Sequence, residues 1–220
     1  MDRSVLPLGA PRAERAERAD AVRNRRHLLA TARQMLAVQG ADHLTMDGLA
    51  ERAGLGKGTV FRRFGSRAGI FQALLDDDER AFQEQVLSGP PPLGPGTAPL
   101  DRLIAYGRAR AGFLTGHREI ARAALDGSQP VPAGSQTPIS QIHIRMLLGQ
   151  MDLGADPRTD LDILAVQLTA ALDGPLLLYL SASDLTEAAP KIEERIAQSW
   201  QDLVQRVCRP RPASANPTRE

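Results

Sequence analysis

Residues 45–71, TMDGLAERAGLGKGTVFRRFGSRAGIF, hold the spacing, the turn chemistry and the charge that decide the fold. Thr45 is placed to cap a short helix whose apolar positions Leu49, Ala50 and Ala53 share one face, because side chains three and four apart are neighbours on a helix. Gly54 ends that helix. Glycine accepts the left-handed backbone of a tight helix exit, and Leu55 after it is free to tuck back against the preceding turn. A second helix is predicted from Lys57 to about Phe64. Val60 and Phe64 repeat four apart on its packed side, while Lys57, Thr59, Arg62 and Arg63 point elsewhere.

Two short helices joined by a glycine-containing turn, the second bristling with bases and a hydroxyl, make a helix-turn-helix, whose second helix enters a DNA major groove. Ala50 falls where the two helices cross, and a larger side chain there would hold them apart. Upstream, Leu28, Leu29, Ala32, Met35, Leu36 and Val38 recur at helical spacing and Gly40 stops the run, which predicts a first helix from Asp20 or Ala21 to about Gln39. Arg23, Arg25, Arg26 and Arg33 lie on its polar faces. Downstream, Ser66 is placed to cap a fourth helix from Arg67 to about Leu87, with Ile70, Phe71, Leu74, Leu75, Phe82 and Val86 as its apolar positions. At about 1.5 Å per residue it extends roughly 30 Å.

These residues resemble the signature of the tetracycline-repressor (TetR) family of bacterial transcription regulators, which reads T, three residues, I-A, two residues, A-G-V-S, one residue, G-T-hydrophobe-Y, two residues, F, two residues, K. The chain matches it at Thr45, Leu49, Ala50, Ala53, Gly54, Leu55, Gly58, Thr59, Val60 and Phe64. It departs at Gly56, where serine is usual, at Phe61, where tyrosine is usual, and at Arg67, where lysine is usual. The resemblance is specific from Arg23 to about Phe82 and holds only in layout beyond. With the basic second helix, it implies a DNA-facing set of Thr45, Gly56, Lys57, Gly58, Thr59, Phe61, Arg62, Arg63 and Arg67. The two missing hydroxyls touch phosphates in the family, so that work falls here to backbone N–H groups and to Lys57, Arg62, Arg63 and Arg67. Thr59 and Phe61 suit the methyl group of thymine, and an arginine suits guanine.

A chain of 220 residues, 42% of them hydrophobic, can bury a sizeable core, and with only 4% aromatic residues that core must rest on Leu, Ala, Ile and Val. The net charge of +1 conceals an asymmetry. Residues 1–22 balance four Arg against four Asp or Glu, residues 23–67 carry nine Lys or Arg against Asp42, Asp47 and Glu51, and residues 68–220 carry fourteen against nineteen. Positive charge is thus concentrated where a phosphate-binding surface needs it. Cys208 has no cysteine to pair with, which fits a reducing cytoplasm, and no cysteine pair suggests a metal site. Residues 1–22 lack the apolar core of a signal peptide. Leu161–Ala182 is interrupted by Asp162, Gln167, Asp173 and Pro175, too polar for a membrane span of about 20 residues. No metal, cofactor or membrane partner is expected.

The rest of the chain reads as helices punctuated by loops. SGPPPLGPGTAP, residues 88–99, is a connector that excludes a continuing helix. A fifth helix is predicted over Leu100–Thr115, a sixth over His117–Leu125 and a seventh over Pro138–Leu153, with Gly154 as its stop. An eighth starts with Asp156 as cap and Pro157 in its first turn, carries Leu161, Leu164, Ala165, Leu168, Leu172, Leu176 and Leu180 as a stripe, and is bent at Gly174 and Pro175. The ninth, from Thr186 or Ala189, shows Ile192, Ile196, Trp200, Leu203, Val204 and Val207 at helical spacings. The expectation is an all-α protein of about nine helices: a flexible arm (1–20), a three-helix DNA-binding domain (21–66), a helical effector-binding and dimerisation domain (67–208), and a disordered tail (209–220).

Catalysis finds little support. His27, His43, His117 and His143 form no H-E-x-x-H pattern, Ser135 and Ser140 lie outside any G-x-S-x-G context, and the Gly54, Gly56, Gly58 run has neither a preceding strand nor a following G-K-[ST]. The acidic run Asp76, Asp77, Asp78 and Glu79 fans out by about 100° per residue on a helix and reads as a solvated face. The alternatives are a helical small-molecule-binding protein or enzyme with an accidental helix-turn-helix resemblance, and an architectural DNA binder, which has little use for a large acidic second body. By resemblance, the chain is a homodimeric repressor that pairs through its last two helices and binds a palindromic double-stranded operator. A small-molecule effector enclosed by helices five to eight would tilt the fourth helix and release it. Tyr106, Phe113, His117, His143 and Met146 are the candidates to line that cavity.

Overall fold

The computed structural model describes residues 12–124, 139–151, 153, 159–180 and 189–208, and every regular element among them is helical. The order is α1 (Arg12–Gln39), a 3-10 turn (Ala41–His43), α2 (Met46–Ala53), α3 (Lys57–Phe64), α4 (Arg67–Ser88), α5 (Pro99–Gly116), α6 (Arg118–Ala124), α7 (Ile139–Gly149), α8 (Leu161–Leu180) and α9 (Ala189–Val207). The chain divides into two units, Met1–Asp76 and Asp77–Glu220. None of the described helices is long and apolar enough to cross a membrane.

In the first unit α2 packs on α1 and α3 packs on α2. Leu28, Leu29, Ala32, Met35, Leu44, Leu49, Ala50, Val60, Ile70, Phe71 and Leu74 are buried. α1 begins at Arg12 rather than near Asp20, so much of the expected arm is helical. RAERAERA consists of strong helix formers, and intrinsic propensity carries a helix there without large apolar residues. Residues 1–11 and the tail, 209–220, lie outside the described residues.

In the second unit α5 packs on α9, α7 and α8, and α7 packs on α8. Phe82, Leu103, Tyr106, Ile144, Leu147, Leu168, Trp200 and Val204 belong to one continuous core. α7 stops at Gly149, short of the expected Leu153. α8 opens later than expected, and Asp160 caps it: one carboxylate oxygen accepts from the N–H groups of Asp162 (3.0 Å) and Ile163 (3.1 Å). The expected cap Asp156, with Pro157 and the stop Gly154, lies outside the described residues. α8 continues through Gly174 and Pro175 as one helix.

One buried cation holds the connector. Arg102, 8% exposed, donates from Nη2 to the Val86 carbonyl (2.6 Å) and from Nε to the Leu93 carbonyl (3.1 Å). It serves an otherwise orphaned carbonyl near the end of α4 and ties the Pro-rich loop to α5. No sequence pattern announced it.

Candidate nucleic-acid interface and inner cavity

The turn between α2 and α3 follows from its glycines and its cap. The Thr45 hydroxyl accepts from the Gly48 N–H at 3.0 Å, and Gly54 takes φ 63°, ψ 29° with its N–H on the Ala50 and Glu51 carbonyls. The Leu55 N–H also reaches the Ala50 carbonyl, at 3.0 Å, which turns the chain into α3. Ala50 is buried, as a helix crossing requires.

α3 is sharply two-sided. Val60 and Phe64 are buried, whereas Lys57, Gly58, Phe61, Arg62 and Arg63 are exposed and Thr59 is half-buried. Phe61 is 65% exposed, an apolar ring held in water. A Cβ at Gly56 or Gly58 would meet nothing, so no neighbour requires glycine at either position.

The cations of this face are differently engaged. Lys57 Nζ pairs with Asp47 of α2 at 2.7 Å, and both side chains are largely exposed, so the pair is of small energetic weight. Arg63 donates to the Ala21 carbonyl of α1 at 3.0 Å. Among the described residues Arg62 has no ion-pair or hydrogen-bond partner. Arg67 sits apart from these three. Its Nε donates to the Leu44 carbonyl (2.8 Å), its Nη2 to the Ala41 carbonyl (2.6 Å), and its guanidinium lies 5.0 Å from the Phe71 ring centroid. It holds the 3-10 turn against α4. On α1, Arg23 pairs with Asp20.

The second unit contains a cavity of about 120 Å3 between α4, α5 and α7. Tyr106, His143 and Met146 line it, together with Phe82, Ile139, Ile142 and Glu79, which the sequence reading had not singled out for this role. Phe113 and His117 lie beside it in a neighbouring cluster. Phe113 packs on Phe82 (ring centroids 5.3 Å), and His117 stacks on Phe113 (4.2 Å) with its Nδ1 2.7 Å from the Phe113 carbonyl and its Nε2 3.1 Å from Asp78. Glu79 pairs with Arg110, whose guanidinium lies over Phe113 and Phe82. The acidic run is therefore only partly a solvated face: Asp76 is exposed, but Asp78 and Glu79 are half-buried against α5. The fan of helical side chains that keeps the run from converging on one ion also points two of its members inward.

The polar groups of the cavity are few. The Tyr106 hydroxyl donates to Ser140 Oγ at 2.7 Å, and burial pushes the phenol upward from its ordinary range. The rings of Tyr106 and His143 lie 4.8 Å apart. His143 is 6% exposed, and its Nε2 has no partner among the described residues. Burial, and then the nearby positive Arg102, lower its pKa from 6.5 to about 4. The unfolded chain then takes up the proton first, so His143 leaves stability intact above about 6.5 and subtracts from it as pH falls toward 4. The unfolding free energy from urea titration should fall across that window by about 2–3 kcal/mol more in the wild type than in His143→Gln. Identical slopes in the two proteins would remove His143 as the source.

A larger hollow of about 230 Å3 lies between α8 and α9 and includes Ala171, Ile192, Ile196 and Trp200. Ile163 and Val166 of α8 and Val207 of α9 are exposed.

Residues 28–74 match the family model described as bacterial regulatory proteins, tetR family. A DNA-binding transcriptional repressor TetR from Mycobacteroides abscessus is 37% identical over 59 residues, a match covering 27% of this chain and 31% of that protein. The chain thus aligns with about a third of the curated relative's length. Among solved structures, a chain from Rhodococcus sp. assigned to the TetR-family transcriptional regulators aligns at TM-score 0.55 and 18% identity, covering 84% of this chain and 98% of that one. Tylp, a tetR regulator from Streptomyces fradiae, aligns at TM-score 0.52 and 23% identity, covering 86% and 89%. At these identities the two structures speak to the fold alone, and they extend the likeness beyond the helix-turn-helix.

Proposed function

We propose that this chain, whose residues 28–74 match the model of the tetR family of bacterial regulatory proteins, is a cytoplasmic, homodimeric transcriptional repressor released from a palindromic operator by a small molecule. The observation that carries the reading is the two-sided α3, which buries Val60 and Phe64 and offers Lys57, Phe61, Arg62 and Arg63 to a partner. Arg62, without a partner among the described residues, and Lys57, in a weak exposed pair, supply phosphate affinity. Arg63 joins them by exchanging one carbonyl for a phosphate oxygen. Thr45, Gly56 and Gly58 bring backbone N–H groups near the same strand, and Thr59 and Phe61 read thymine methyls. Arg67 acts differently, by positioning the 3-10 turn and α4 rather than by touching DNA.

The exposed apolar residues of α8 and α9 and the hollow between those helices support self-association there. A two-fold dimer demands a two-fold operator with half-sites about one helical turn or somewhat more apart. The effector must bind the DNA-incompetent state more tightly, and about 1.4 kcal/mol of preference shifts the balance tenfold. The alternative of an enzyme with an accidental motif is disfavoured by the family match over the DNA-binding stretch.

Selection of bound sequences from a random DNA pool, repeated over a salt series, tests DNA binding, symmetry and half-site spacing together. The absence of any enriched palindrome would end this reading. Arg62→Ala should weaken binding to all sequences and lower the slope of log K against log salt by about 0.9 per lost phosphate contact, and Arg63→Ala should do likewise. An unchanged slope takes the residue out of the phosphate set. Thr59→Val should shift sequence preference more than total affinity, whereas a uniform loss over all sequences would argue against base reading.

A further inference from the structure

The cavity between α4, α5 and α7 has a composition that narrows what can occupy it. Its volume, about 120 Å3, is comparable to a cavity that holds one benzene ring. Phe82, Ile142 and Met146 give it an apolar wall, with Ile142 exposed and Met146 39% exposed. Against that wall stand four polar side chains, and three are already engaged. The Tyr106 hydroxyl donates to Ser140, Glu79 is held by Arg110, and Gln83 Nε2 donates to Glu79 at 3.2 Å. The fourth is His143, more than nine-tenths buried and lacking a partner at Nε2 among the described residues. A buried ring nitrogen left unpaired is costly, and a ligand that completes its hydrogen bond recovers that cost.

Charge is excluded on both sides. Arg110 pairs with Glu79 and Arg102 is held on two carbonyls, and neither lines the cavity, so a carboxylate entering it finds no cation in the lining and meets Glu79. An ammonium has to displace Arg110 from Glu79. Either ion also loses its hydration against an apolar wall. His143 itself, with a pKa of about 4, is neutral at ordinary pH and offers a hydrogen bond without a charge.

We propose that this cavity takes a neutral, mainly apolar ligand about one aromatic ring in size, carrying a single hydrogen-bonding group that pairs with His143 Nε2. The proposal deepens the effector part of the regulator reading and rests on that reading only for its regulatory meaning; occupancy is measured on the full chain without DNA. Titration of the wild type at neutral pH with phenol, toluene, benzoate and benzylamine, followed by calorimetry or ligand-observed NMR, should rank phenol first. Toluene should bind about tenfold more weakly, the worth of one net hydrogen bond, and the two ions more weakly still. His143→Leu should lower phenol affinity about tenfold while leaving toluene unchanged, and Met146→Trp should abolish both by filling the space.

The wild-type phenol and toluene comparison stands even if a variant fails to fold. Equal binding of toluene and phenol, a benzoate or benzylamine affinity at or above that of phenol, or phenol binding that survives Met146→Trp overturns the proposal. A chain that retains a selected DNA palindrome but ignores phenol defeats this inference and leaves the regulator reading intact. A chain that binds phenol through His143 but retains no DNA does the reverse.

Discussion

Gly107→Ala should destabilise the second unit by about 2–4 kcal/mol, enough to lower its thermal midpoint by several degrees. Gly107 lies in the middle of α5 and is buried, and a Cβ added there would overlap Nε1, Cε2 and Cδ1 of the Trp200 indole, far inside van der Waals contact. The indole is pressed on the helix because its N–H donates to the Leu103 carbonyl at 3.1 Å, one turn before Gly107. Trp200 is 3% exposed and sits where α9 meets α5. Alanine is the better helix former by about 1 kcal/mol, which sets the competing term. Overpacking costs about 1–3 kcal/mol, and a tryptophan pushed out of its site loses burial worth more than that, so the steric side wins. Trp200 is the chain's single tryptophan, and its fluorescence reports the displacement directly. A second change, Trp200→Leu, should cost less in the Gly107→Ala background than in the wild type, since the clash it relieves exists only there. An alanine variant with unchanged fluorescence and a raised midpoint would show that the close approach is not what holds α9 to α5.

Gly107 also marks the limit of what the sequence made legible. A lone glycine inside a helical pattern costs about 1 kcal/mol and asks for a packing reason, but which side chain arrives at it is settled by a residue far along the chain. The helix-turn-helix was readable because its determinants are local: a capping threonine, a left-handed glycine, and apolar residues at spacings of three and four, all within one short stretch. Helix ends were less so. RAERAERA extends α1 to Arg12 on propensity alone, and Asp160 rather than Asp156 caps α8 because the choice among nearby acidic residues depends on where the first turn forms. The cavity was half legible. Tyr106, His143 and Met146 line it, while Phe113, two turns after Tyr106 on α5, and His117 at the end of that helix stack on each other beside it instead. Arg102 gave no signal, and Arg67 read as a DNA-facing cation, since an arginine that serves backbone carbonyls looks in sequence like any other surface cation.

Gly69→Ala should strip the chain of sequence-specific DNA binding, by about a hundredfold or more, while its salt-dependent binding to arbitrary DNA persists. The cause lies in the joint between α3 and α4. Gly65 adopts φ 72°, ψ −44°, a backbone open to glycine, and the Ser66 N–H bonds the Phe64 carbonyl at 2.8 Å across it. Ser66 Oγ then accepts from the Gly69 N–H at 3.1 Å, capping α4. This tight path brings the Phe64 carbonyl against the Cα of Gly69, and a Cβ there would overlap that carbonyl oxygen. Its obstacle is backbone, which cannot rotate aside as a flexible side chain can, so the end of α3 must move. Phe64 and Val60 are the two buried anchors of that helix. Displacing them shifts Thr59 and Phe61 away from the base edges we propose they read, and two lost base-pair preferences at about 1–3 kcal/mol each account for the hundredfold. Lys57, Arg62 and Arg63 stay cationic on long side chains, so the phosphate term and its salt slope survive. Titrating the variant against a selected palindrome and against a scrambled duplex of equal length, at two salt concentrations, separates the two effects. Specific affinity within threefold of the wild type would mean that the α3 to α4 joint does not set the pose of the recognition helix.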